Sequence, residues 1–465
     1  MSLQSLIDKP KELLELIDSC LKPKQEEKKK FGEVFTPMKL INEMLDKLDE
    51  YYKKEHEKSI FENKNFKWFD PANGMGNFPM AVYLRLMEGL KKEILDEKNR
   101  KQYILEKMLY MSELNKKNVF ICRQIFDINN EYKLNLYNGD SLKLNTEKEW
   151  GFKKFNVIMG NPPYNKGGIH SHTGKHLGEK NETIWPAFIE KSINSLNKNG
   201  FLVFINPLSW LKKSHSMHDK LLEKHVIWLK LWDNSQSKIN IDADIPLSLY
   251  IVNNIINKNK KKTEVISILK RRHLESHSMV YLNENKSIPL AYHSIFDKIS
   301  KKIDENINLK LEVFTKTVKC EKSQIKLSSK MKRENNYGID TYRMKDGYFV
   351  KHMLQEHPHH KENKLILANK ASLKGGLIDN GTFGLVGSDK FYILGDELEI
   401  LKEFLESQLC EILSHLTKYR QDFLEKDAFN YIPDIRYICE KKYDKEKIYE
   451  YFKFTEEEIK NINKF

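Results

Sequence analysis

Lys67-Trp68-Phe69-Asp70-Pro71-Ala72-Asn73-Gly74-Met75-Gly76-Asn77-Phe78 is the stretch on which the fold turns. A short apolar strand, KWFD (67–70), enters a loop with two glycines one residue apart. The loop enters GNFPMAVYLRLMEGLKKEIL (76–95), whose apolar residues recur at helical spacing. Strand, glycine turn and helix in that order open a crossover unit, and crossovers build parallel sheets. Gly74 and Gly76 remove side chains that would keep a nucleoside ligand off the backbone, and glycine tolerates positive φ. A lone GxG also fits an ordinary strand–helix turn, so its neighbours must decide.

The alternation continues outward. Further strands are expected at MLYMSEL (108–114), LNLYNGD (134–140), FNVIMGN (155–161), GFLVFINP (200–207), VIWLKLW (226–232) and PLSLYIVNN (246–254), with a helix over TIWPAFIEKSINSLNKNG (183–200). The fold class is α/β: a doubly wound, mostly parallel, Rossmann-like sheet. Upstream, residues 1–30 form an amphipathic helix (Leu13, Leu14, Ile17, Leu21) running into the charged KPKQEEKKK (22–30). The run NKNKKK (257–262) marks a boundary, giving a catalytic-type domain over 31–260 and a second, α+β domain over 261–465. The apolar spacing of EILKEFLESQLCEILSHL (399–416) predicts one helix.

Bulk properties narrow the classes. At 465 residues with 40% hydrophobic content, the chain has enough for two globular domains, and a net charge of +13 favours a polyanionic partner. Cys20, Cys122, Cys320, Cys410 and Cys439 are scattered without a CxxC pair, which argues against a disulfide framework or zinc site. No secretion signal and no apolar run near ~18 residues is present, so a soluble, cytoplasmic protein without membrane contact is expected. His357, His359 and His360 lack a cysteine or carboxylate framework, so a polar loop is expected there rather than a metal site.

Chemistry enters with the acids. Glu113 ends the second expected strand, where its carboxylate can take both hydroxyls of a ribose; Asp140 ends the third, placed to accept from an amine. Asp70 can accept from a ligand's ammonium. The strongest signal is Asn161-Pro162-Pro163-Tyr164, directly after an apolar strand. An aryl amine is a poor nucleophile because its lone pair is delocalised. The side-chain oxygen of Asn161 and the carbonyl of Pro162 can accept its two hydrogens and draw the nitrogen towards sp³ geometry. Consecutive prolines hold such a clamp rigid, and Tyr164 offers a face for a planar base.

In this order, the residues resemble the gamma-class DNA adenine-N6 methyltransferases of restriction-modification systems. Gly32-Glu33-Val34-Phe35-Thr36-Pro37 is similar to that family's G-x-x-x-T-P segment, and Asp70 to Phe78 to its D/E-P-x-x-G-x-G-x-F. The resemblance implies S-adenosylmethionine as cofactor, held by Thr36, Asp70, Gly74, Gly76, Phe78, Glu113 and Asp140. It implies an extruded adenine in double-stranded DNA as substrate, catalysis by Asn161, Pro162 and Tyr164, and a cognate restriction endonuclease as a candidate partner. The second domain would read the target, and GTFGLVGSDKFYIL (381–394) with NYIPDI (430–435) is similar in style to such domains. The lysine-rich 318–333 segment can contact phosphates, though solvated faces look the same. The chain departs from the family where a second stacking aromatic is usual: DNSQSKINIDADI (233–245) has none, leaving Trp232, Ile239 or Ile241 as candidates. The same clamp suits a protein glutamine or an RNA base, and a degenerate, DNA-recognising subunit is a non-enzymatic alternative.

Overall fold

The computed structural model describes residues 36–166, 182–257, 261–343, 345–368, 373–419 and 424–465. The helix expected over 1–30 and residues 32–35 of the N-terminal motif lie outside the described residues. The chain divides into two compact units: one runs to Trp210 and takes in His215–Glu284, and the other comprises Leu211–Ser214 with Asn285–Phe465.

The first unit is built on a nine-stranded sheet: β1 (Trp68–Asp70), β2 (Leu109–Glu113), β3 (Asn135–Asn138), β4 (Phe155–Gly160), β5 (Leu196–Pro207), β6 (Lys224–Trp232), β7 (Leu247–Ile256), β8 (Thr263–Leu269) and β9 (Leu274–Val280). Their order is β3-β2-β1-β4-β5-β7-β6-β8-β9. β1 to β5 are mutually parallel, whereas β7 runs antiparallel between β5 and β6. All seven expected strands are present. Those nearest the centre, such as WFD and FNVIMG, read as continuous apolar runs because they are covered on both faces.

The boundary expected at 260 is corrected to 284. β8 pairs parallel with β6, and β9 pairs antiparallel with β8, so the charged run at 257–262 connects two strands of one sheet. Both strands alternate in burial, as strands with one wet face do.

Helix α1 (Met38–His56) buries Ile41, Met44, Leu45 and Leu48 in the core that also holds Trp68 and Phe78. α2 (Asn77–Gly89) follows the glycine loop, α3 (Lys116–Phe126) follows β2, and α4 (Trp185–Asn194) precedes β5.

The second unit is α+β, as expected. One sheet runs β10-β12-β11-β15 and another β14-β13-β16, where β10 is Ile325–Lys326, β11 Tyr337–Arg343, β12 Gly347–His352, β13 Asn363–Ala368, β14 Leu377–Asn380, β15 Gly384–Leu385 and β16 Lys390–Leu394. The single helix expected over 399–416 is two, Leu398–Leu405 and Gln408–His415, because Ser407 starts the second by accepting from Cys410 N. Among the described residues, no helix is long and apolar enough to cross a membrane.

Candidate active site

β1 delivers Asp70 to the top of the sheet, and the turn beyond it needs its glycines. Gly74 and Gly76 take φ of 54° and 100°. A Cβ on Gly76 would also sit 3.0 Å from the Phe126 ring and 3.2 Å from Cys122 Sγ, so the glycine lets α3 pack beneath the loop. Glu113, at the end of β2, holds the turn from the other side: its Oε2 accepts from Gly74 N at 2.8 Å and its Oε1 from Asn115 N at 2.7 Å. A carboxylate has about four acceptor sites, so Glu113 can serve the loop and a ligand together.

Asp70 is 1% exposed and accepts from Ala72 N at 3.0 Å. Burial pushes its carboxyl well above the usual acid range; the Ala72 N–H offsets this only in part, and the charge of Glu113 adds to it. Gly160, just before the clamp, has φ of 150°, and a Cβ there would lie 2.7 Å from Asp70 Oδ1. Gly160→Ala is therefore expected to displace the buried carboxylate and cost about 1–3 kcal/mol, read as a lower urea midpoint with unchanged slope. A midpoint equal to wild type would show that Asp70 has room to move.

Asp140 sits beyond β3, its side chain 38% exposed, and Oδ1 accepts from Leu142 N at 2.9 Å. Two residues brace this loop that the sequence did not single out. Lys191 of α4 donates to Leu142 O and Leu144 O at 2.9 and 2.7 Å, and the Ser141 hydroxyl bonds to Pro71 O and Ser112 Oγ. Lys191 carries no sequence signal, being one lysine among many.

A cavity of about 400 Å³ unites these parts, within the usual range for small-molecule sites. Thr36, Asp70, Gly74, Phe78, Glu113, Asp140 and Asn161 all line it, with Pro163 and Ile184. Four expected residues stand differently. Gly76 lies outside the lining and shapes the loop from beneath. Pro162 is buried, and Pro163 forms the wall instead. Tyr164 packs against the hydrophobic core outside the cavity lining, its hydroxyl donating to Asn161 Oδ1 at 2.8 Å. Trp232 is corrected as a stacking candidate: it is 1% exposed in the core, its ring beneath Lys230, and it does not line the cavity. Of the alternatives, Ile241 is likewise in the core, and Ile239 is 61% exposed.

The histidines are also corrected from a polar loop to scaffold. His357 and His360 are 1% and 5% exposed, and their Nε2 atoms bond to Lys316 O and Thr382 O, both at 3.0 Å. Among the described residues no cluster of His, Cys, Asp or Glu is arranged to hold a metal ion.

Sheet order, the antiparallel β7, the glycine turn and acids beyond β2 and β3 define the class I methyltransferase fold. Residues 80–239 match the family model described as Eco57I restriction-modification methylase, an interval that includes Glu113, Asp140 and Asn161 to Tyr164. Over that interval the chain is similar to methylases of that restriction-modification type, as its motifs also are. A relative from Mycoplasma pneumoniae, named as an uncharacterized adenine-specific methylase, is 26% identical over 258 residues. That match covers 41% of this chain and 58% of the relative, so the chain spans less than two thirds of the relative's length. Among solved structures, the Type IIL restriction-modification enzyme MmeI in complex with DNA has a TM-score of 0.48 at 12% identity, over 86% of this chain and 68% of that one. A class I S-adenosylmethionine-dependent methyltransferase from Listeria monocytogenes scores 0.37 at 15% identity, over 58% and 75%.

Proposed function

We propose that this chain transfers a methyl group from S-adenosylmethionine to the N6 amine of adenine in double-stranded DNA. The observation that carries the reading is convergence: Asn161 opens into the same cavity as Gly74, Glu113 and Asp140, although these residues come from four separate stretches of the chain. The cavity suits the donor, with a carboxylate for the ribose (Glu113), an acceptor for the adenine amine (Asp140) and a buried acid for the ammonium (Asp70). When bound, S-adenosylmethionine supplies an electrophilic methyl on a sulfonium. The protein's own task is positioning and electrostatics: Asn161 Oδ1 accepts from the amine at the cavity wall, and the Pro162 carbonyl, covered in the free protein, becomes the second acceptor once the base has entered, leaving the lone pair directed at the methyl. No strong base is needed beforehand, because the amine becomes acidic only as it is alkylated.

Adenine in a duplex hides that amine in the stack, so the base is extruded into the site, where Tyr164 moves off Asn161 to stack on it. The second unit recognises the target sequence through base edges and phosphates, in line with the net charge of +13. Such a reaction places the protein with DNA in the cytoplasm, beside a cognate restriction endonuclease. Incubating the protein with donor and duplex DNA, then long-read sequencing, should reveal N6-methyladenine at one recurring sequence. Unmodified DNA alongside methylated RNA or protein would overturn the assignment.

Two measurements test the donor site. Glu113→Ala removes an acceptor from the ribose and from the glycine loop, and should raise the donor Kd about 10–100-fold by calorimetry. An unaltered Kd refutes its role. Asp70 gives a pH dependence. Its pKa is raised in the free protein and must fall when a cation binds beside it, so donor binding at a pH below that raised pKa releases a proton. Affinity then rises with pH until the raised pKa is passed. Calorimetry in buffers of different ionisation enthalpy should register this release in wild type and lose it in Asp70→Asn. Equal release in both would remove Asp70 from the ammonium site.

A further inference from the structure

The side-chain amide of Asn161 is held at both ends. Its Nδ2 donates to Thr36 Oγ1 at 3.2 Å, and its Oδ1 accepts from the Tyr164 hydroxyl at 2.8 Å. Thr36 is 5% exposed, so its hydroxyl is a buried polar group whose partner matters. Its backbone is fixed separately: Asn77, the first residue of α2, donates through Nδ2 to Thr36 O at 3.1 Å, and Pro37 leads directly into α1. Thr36 therefore stands still while touching a residue 125 positions away.

That contact bears on the chemistry. An amide's two ends are nearly the same size but opposite in hydrogen-bonding sense. Turned over, Asn161 would present two N–H groups to an amine that also has only N–H groups to offer, and the lone pair would not be drawn out. In the structure the Thr36 hydroxyl takes the Nδ2 arm and the Tyr164 hydroxyl the Oδ1 arm, so the two together hold the amide in one sense.

We infer that Thr36 is a positioning residue: its hydroxyl accepts from Asn161 Nδ2 and so holds Oδ1 towards the incoming amine, with the Tyr164 hydroxyl keeping that place until the base arrives. The family resemblance gives Thr36 to the methionine end of the donor; this inference gives its side chain a different task and rests on Asn161 being the amine's acceptor, as proposed above. It also links the glycine loop to the clamp, through Asn77, Thr36 and Asn161 in series.

The test uses the full chain with Thr36→Val, which keeps the shape and removes the hydroxyl, and Thr36→Ser, which restores the hydroxyl. In single-turnover methylation at saturating donor, Thr36→Val should be about 10–100-fold slower with a donor Kd within roughly threefold of wild type, and Thr36→Ser should recover most of the rate. A wild-type rate in Thr36→Val overturns the inference, as does a Thr36→Ser rate equally low. A raised Kd with full rate at saturation returns Thr36 to the donor and overturns it too. A second readout needs no activity. With asparagine ¹⁵N labelling, the Asn161 side-chain NH₂ signal, identified by its absence in Asn161→Ala, should shift in Thr36→Val and hold in Thr36→Ser. No shift in Thr36→Val refutes the contact whether or not the wild type modifies DNA. The expected shift in Thr36→Val together with a wild type that leaves DNA unmethylated condemns the functional reading instead.

Discussion

Asn161→Ala is expected to lower single-turnover methyl transfer by about 10²–10³-fold or more, the usual cost of deleting one preorganised polar contact to the reacting group. Donor affinity should change little. The cavity side of Asn161 adjoins the proposed donor site, but the groups proposed to hold the donor come from elsewhere: Glu113 at the end of β2, Asp140 beyond β3 and Asp70 at the end of β1. The substitution also strips the Thr36 and Tyr164 hydroxyls of a partner, which costs about 1–3 kcal/mol if they stay buried, so thermal unfolding must accompany the kinetics. Asn161→Asp separates the two effects. It preserves volume and offers acceptors on both arms, so it should keep more of the stability and more of the rate than alanine. A folded Asn161→Ala that turns over like wild type would mean that the clamp is not where the amine is held.

Sequence legibility followed burial. The apolar runs at 155–160 and 226–232 are readable because strands covered on both faces carry few polar positions, here only Asn156 and Lys230. β8 and β9 escaped because a sheet's wet face brings in residues such as Glu264, Glu275 and His277, and the charged run before β8 looks like a linker. The parts of the proposed donor site were legible because they recur at the same point of successive crossover units, so chain order carries their geometry. Lys191, Gly160 and the Thr36 hydroxyl contact were not, since each matters through one distant partner that no local pattern encodes. Trp232 failed for a related reason: sequence proximity to a loop does not say which face of β6 a side chain takes.

Lys364→Met should strongly destabilise the second unit, removing about 3–5 kcal/mol, a large part of a typical domain stability of about 5–15 kcal/mol. Lys364 on β13 lies directly across from Asp379 on β14, and their side chains are 0% and 2% exposed. The ammonium has three acceptors: Asp379 Oδ2 at 2.7 Å, Glu362 O at 2.7 Å and His360 O at 3.3 Å. Asp379 in turn accepts from Thr382 N at 2.9 Å and Phe383 N at 3.1 Å, so the pair organises the turn that follows β14. Methionine fills the space of the lysine stem but leaves a carboxylate buried without its cation, and that uncompensated charge rather than a lost contact sets the penalty. Adding Asp379→Asn should therefore recover part of the loss, because the amide is neutral while its oxygen still accepts from Thr382 N. Urea unfolding of the full chain, followed through the second unit, reads both variants. A Lys364→Met midpoint within about 1 kcal/mol of wild type would mean that water or a neighbouring cation reaches Asp379, and that the pair is not sealed in the fold.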